Sequence, residues 1–158
     1  MLNPPRLDHA WIAAHIPHQG NMCLLDHVMM WDGQRIRCKA SSHRLSTNPL
    51  RSRGQLGSAC GIEYAAQAMA VHGALLAPEE SSRPRAGFLV SVRGAVLHVP
   101  RLDTIAADLD IEAICIHGSG GNILYQFSVQ ADGQVLLEGR AAVMLDADTQ
   151  FQPAGASI

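Results

Sequence analysis

The chain has 158 residues and a formal net charge of −2, with 47% hydrophobic and 16% charged residues. That charge, with only two Trp, two Tyr and three Phe, excludes the basic and base-stacking surfaces of a nucleic-acid binder. The length predicts one domain over residues 1–146, large enough to need no disulfide or metal staple, and a flexible tail over 147–158.

Residues 8–15, "DHAWIAAH", read as a short helix capped by Asp8 and ended by Pro17. "MCLLDHVMMWDGQRIRCKASSH" reads as a hairpin turning at Asp32-Gly33, and residues 44–56, with Pro49, Gly54 and three arginines, as loop. One long helix is predicted from Gly57 to about Ala77, ending before Pro78, with Ile62, Ala65, Ala66, Met69, Ala70 and Leu76 along its buried side. After the polar connection "PEESSRPR" come "AGFLVSVRGAVLHV", "TIAADLDIEAICIHG", "NILYQFSVQADG" and "QVLLEGRAAVMLD". The last three are joined by turn residues at 118–121 and at Asp132-Gly133. No run reaches signal-peptide or membrane-span length, and the four cysteines form no C-x-x-C pair. A soluble cytoplasmic protein follows as the expectation.

The order hairpin, long helix, meander is α+β. A curved antiparallel sheet wrapped around the alanine-rich helix would bury it well, which is the hotdog architecture. An apolar chain of low charge would cover its remaining apolar surface in a dimer.

Glu63 is the one carboxylate in that helix. The plain reading is a first-turn charge complementing the helix dipole; the presence of Gln67, its i+4 neighbour, adds a second polar group to the same face. Gly57 and Gly61 would let a ligand approach the backbone of "GQLGSACG", whose amides at the helix start could face an oxygen. Eight histidines compete as bases. His72, nine residues after Glu63, falls on the opposite helix face. His98 and His117 sit at strand ends, and no motif surrounds His9, His15 or His27. His15 and His18 are too weak a pair for a metal site, being separated by Pro17, and none is expected.

"IPHQGNMCLLDHV" resembles the opening of the 3-hydroxyacyl-ACP dehydratases of the hotdog superfamily. "GIEYAAQAMA" resembles their central helix. With "GFLVSVRGAVLHVPRLD", the stretch "NPLRSRGQLGSACGIEYAAQAMAVHGALL" resembles a divergent bacterial branch associated with aryl-polyene and xanthomonadin-like pigment clusters. The resemblance implies elimination of water from a 3-hydroxyacyl thioester carried on the phosphopantetheine of an acyl carrier protein, with no cofactor. It marks Glu63 as catalytic, with a raised pKa, and Gly57, Gly61 and Gln67 as substrate-binding. The glycine-histidine-phenylalanine-proline motif that carries the family's catalytic histidine is missing; the shorter "LRSRGQLG" replaces it. His43, ending the second strand, and His18, in the "PH" opening, stand equal as the base. Arg44, Arg51 and Arg53 either solvate their loop or attract the acidic carrier. Homodimer and heterodimer remain open, as do an acyl thioesterase and a non-catalytic subunit paired with an active dehydratase.

Overall fold

The computed structural model describes residues 6–77, 87–119 and 121–145. The expected polar connection and C-terminal tail lie outside them. Helix α1 spans His9–His15; Asp8 caps it by accepting from the Trp11 amide at 3.0 Å, and Ile16, preceding Pro17, is extended. Strands β1 (His27–Trp31) and β2 (Arg35–Ala40) form the hairpin, whose turn Asp32 fixes by accepting from the amides of Gln34 and Arg35. Helix α2 covers Gly61–Leu76, entered through a 3-10 turn at Ser58–Cys60. Then follow β3 (Gly87–Leu97), β4 (Leu109–Ser119), β5 (Asn122–Ala131) and β6 (Gln134–Leu145). The fourth predicted strand thus starts five residues late, at Leu109. Asp132 and Gly133 both have positive φ, the conformation that a two-residue primed turn requires.

All six strands form one antiparallel sheet in the order β1-β2-β4-β5-β6-β3. The sheet packs around α2, as a hotdog does. Period-2 alternation sends Cys38, Ile111, Val129 and Leu137 inward, and the register places these four side by side across the sheet. Gly139 leaves room for the Phe127 ring, whose Cζ would lie 3.0 Å from an added Cβ.

The buried side of α2 is broader than the sequence suggests. Tyr64, Ala65, Gln67, Ala68, Met69, Val71 and His72 are buried, whereas Ile62, Ala66 and Ala70 are partly exposed and Leu76 is 46% exposed. The sheet covers one flank and the chain from α1 to Leu25 covers another, so no single stripe describes the helix. His72 sits on the flank away from Glu63. Its Nε2–H donates to the Asp32 carbonyl at 2.8 Å and its Nδ1 accepts from the Tyr125 hydroxyl at 2.7 Å, which pins the hairpin turn to helix and sheet. Burial lowers its pKa and keeps it neutral.

The helix start meets the sheet at Gly61. An added Cβ there would lie 2.5 Å from Cδ2 of the fully buried Leu137. Gly61 therefore lets the helix start pack directly against the Leu137 side chain. Gly61→Val should destabilise the fold by about 1–3 kcal/mol through overpacking. Leu137→Ala should cost less in that background than in wild type, because the truncation relieves the clash. Urea unfolding of the four proteins measures this; equal costs in both backgrounds would contradict the contact.

Candidate active site

Chain geometry brings two distant segments together at the start of α2. Pro17 ends α1 and turns the chain along the helix, where Nε2 of His18 lies 3.1 Å from Oε1 of Glu63. The pair is half-buried, with side chains 27% and 34% exposed. Nδ1 of His18 is buried with no partner among the described residues, and the hydrogen bond to the carboxylate is donated from Nε2–H.

Gln67 holds this arrangement. It is fully buried; its Nε2 donates to the Met22 carbonyl at 2.7 Å and to Oε1 of Glu63 at 3.3 Å, while its Oε1 accepts from the Leu24 amide at 2.9 Å. The amide side chain thus ties the His18-bearing segment to the helix. Within the protein, these three hydrogen bonds engage both the donor and the acceptor end of the Gln67 amide.

The carboxylate of Glu63 is held below its ordinary pKa, against the expectation of a raised one. The His18 hydrogen bond is the largest cause and outweighs burial, with Gln67 adding to it. Glu63 is ionised at neutral pH.

His43 stands elsewhere. Fully buried, it donates from Nε2 to the Ile105 carbonyl at 2.9 Å, and burial lowers its pKa. It fixes the loop before β4 to the end of β2, and the pairing with Glu63 goes to His18. Arg44 and Arg51 are likewise turned to their own chain. Arg44 bonds the Ala106 carbonyl and Asp108, and Arg51 bonds the carbonyls of Leu45, Gly54 and His43. Arg53 is exposed with φ of 54°.

Most amides of the expected oxygen-binding loop are already engaged. Those of Gln55 and Leu56 go to Ser52 and Asp103, those of Ser58 and Cys60 to Pro100 and Gly57, and that of Gly61 back into the 3-10 turn. Gly57 remains open, with no atom of the described residues within 4 Å of an added Cβ. Among the described residues no three His, Cys, Asp or Glu side chains are grouped to hold a metal ion, and no helix is long and apolar enough to cross a membrane.

Sequence reasoning missed Tyr64. Its buried hydroxyl meets Oγ of Ser42 at 2.8 Å and Nδ2 of Asn48 at 3.0 Å, locking the loop after β2 onto α2 one residue past Glu63. The one signal for it was a polar-tipped residue within an alanine-rich helix.

The family model described as ApeP-like, ApeP dehydratase, matches residues 10–152. No curated protein is significantly similar in sequence. Among solved structures, the dehydratase heterocomplex ApeI:P from Xenorhabdus doucetiae is similar at TM-score 0.77 and 23% identity, over 87% of this chain and 92% of that one. A mutant of thioesterase PA1618 from Pseudomonas aeruginosa follows at TM-score 0.61 and 14% identity, over 90% and 95%. AziG from S. sahachiroi is similar at TM-score 0.56 and 12% identity, over 75% and 89%. These structural likenesses are of fold.

A carboxylate with a depressed folded pKa adds stability that is full above its unfolded value, about 4.3, and is lost as pH falls through the folded value. His18→Ala removes the largest cause of that depression and leaves burial to act against the charge. The Glu63 titration, followed by carboxylate-carbon NMR, should then move to higher pH. An unchanged midpoint would show that the two side chains are not coupled.

Proposed function

Because the chain belongs to the ApeP-like dehydratase family, we propose that it eliminates water from 3-hydroxyacyl thioesters borne on an acyl carrier protein, in synthesis of an aryl-polyene-type pigment. The observation that carries the reading is the ionised, half-buried Glu63 hydrogen-bonded to His18.

Dehydration takes a proton from C2 and returns one to the departing C3 hydroxyl. The Glu63 carboxylate accepts the first while His18 donates to its other side. The same pair then gives that proton to the hydroxyl, which leaves as water. One proton in and one out restores the pair, so the step needs no redox partner or cofactor. The amides of Gly57 and Ala59, which have no partner among the described residues, are the candidates to meet the thioester oxygen.

The subunit pairs through its sheet edge with a second hotdog chain. Strand β3 ends the sheet, bonded on one side to β6, and exposes Leu89, Val90, Val96 and Leu97. The other edge is partly covered, since the Val28 amide donates to the Leu7 carbonyl. The similarity to one member of a heterocomplex supports a hotdog partner.

With its partner subunit present, Glu63→Gln should lower turnover by about 10²–10⁴-fold, the usual worth of one general acid–base group, and His18→Ala should do the same. His43→Asn should act on stability. The assay is hydration of an enoyl thioester, read as loss of enone absorbance. Full activity of Glu63→Gln would overturn the reading; thiol release would make the chain a thioesterase, and turnover unaffected by any of these variants would place catalysis in the companion subunit. Val90→Lys, at a 59% exposed edge position, should weaken subunit pairing with the fold intact. Mass by light scattering checks this, and an unchanged assembly would exclude the β3 edge.

A further inference from the structure

Strand β3 carries one charged residue, Arg93, and its register partner on β6 is Arg140. Both are exposed, so two positive charges stand directly across from each other on the outer face of the sheet. Like charges so placed repel. Gln126 faces Arg140 from the other side and brings no charge. Glu138, two residues along β6, is engaged by Nε2 of His98 at 2.9 Å. Among the described residues no carboxylate forms an ion pair with either arginine, whereas Arg37 and Lys39 on β2 both reach Asp110, at 3.8 and 3.1 Å.

Position along the edge decides what this pair accepts. Arg93 lies midway between two exposed apolar groups, Leu89 with Val90 and Val96 with Leu97. The ladder keeps it central despite two bulges, one on each side: Leu89, Arg93 and Leu97 meet Val143, Arg140 and Leu137. A second copy laid antiparallel, each apolar group against the opposite group of the other copy, would therefore set Arg93 against the Arg93 of that copy. With an Arg140 behind each, four guanidinium groups would crowd one strip. Sliding the strands by two residues leaves the arginines diagonal neighbours and draws apolar residues out of contact. An unlike strand with a carboxylate at the centre meets neither penalty.

We propose that Arg93 and Arg140 bar this chain from pairing with itself and select, at the β3 edge, an unlike hotdog chain whose edge strand carries a carboxylate between two apolar groups. The inference rests on the edge pairing proposed above and adds which partner that edge takes. Repulsion against the wrong chain and attraction to the right one come from the same two side chains.

Arg93→Glu puts the required carboxylate on this chain itself and so serves as the probe. Labelled wild type is titrated with unlabelled full-length wild type or with Arg93→Glu, and binding is read by fluorescence anisotropy. The mixed pair should form about tenfold or more tightly than wild type with itself, an advantage that shrinks as salt is raised. Arg140→Glu replaces the first variant if a melting curve shows that one unfolded. No advantage for the mixed pair, whether both pairings are tight or both undetectable, would overturn the proposal. Adding Val90→Lys to the labelled chain separates this from the edge pairing. If Val90→Lys weakens every pair but wild type and Arg93→Glu bind alike, the edge stands and the selection by charge falls. A mixed-pair advantage that Val90→Lys leaves untouched would place pairing on another surface and overturn both.

Discussion

A fully buried side-chain amide must find partners for its donors and its acceptor, because each one left bare would cost about 1–3 kcal/mol. Gln67 finds them in Met22, Leu24 and Glu63. Two of the three lie on a segment more than forty residues away in sequence. Satisfying one amide therefore fixes the path of the chain after α1, and that path carries His18 to Glu63. The ionised state of Glu63 follows from the same geometry.

Around that clamp the fold supplies rigidity. The row Cys38, Ile111, Val129 and Leu137 forms a floor beneath the helix, and Gly61 lets the helix start descend onto it. His72 and Tyr64 anchor α2 to the hairpin turn and to the loop after β2. Each is a buried polar group satisfied across a long sequence separation. Glu63 thus projects from a helix held at both ends, the support that a group needing fixed geometry requires.

Local chemistry was legible in the sequence. Asp132-Gly133 announced its turn, Asp8 its cap, and period-2 alternation the meander; the order of elements and the family pattern led to the hotdog sheet. The choice between His18 and His43 was not legible, because each is bonded to a group remote in sequence: His43 to Ile105, His18 to Glu63. The pKa of Glu63 came out opposite in sign to the expectation for a similar reason. Burial alone would raise it, and the partners that lower it become visible only once the chain is folded. Helical periodicity assigned Ile62 and Leu76 to the core because it assumes one buried stripe, whereas α2 is covered on more than one flank. At Gly61 the close approach that the structure displays is that of Leu137 from the sheet, a contact that joins positions remote in sequence.

The central claim is that Glu63 and His18 work as one unit. Groups that act together lose their joint contribution when either is removed, so their effects on rate fail to multiply. The most direct test is a double-mutant cycle on kcat/KM, comparing Glu63→Gln, His18→Ala and the two combined, with the partner subunit present. The account predicts that the double variant is hardly slower than the slower single one. A double variant whose loss equals the product of the two separate losses would contradict it, and would show two side chains acting independently.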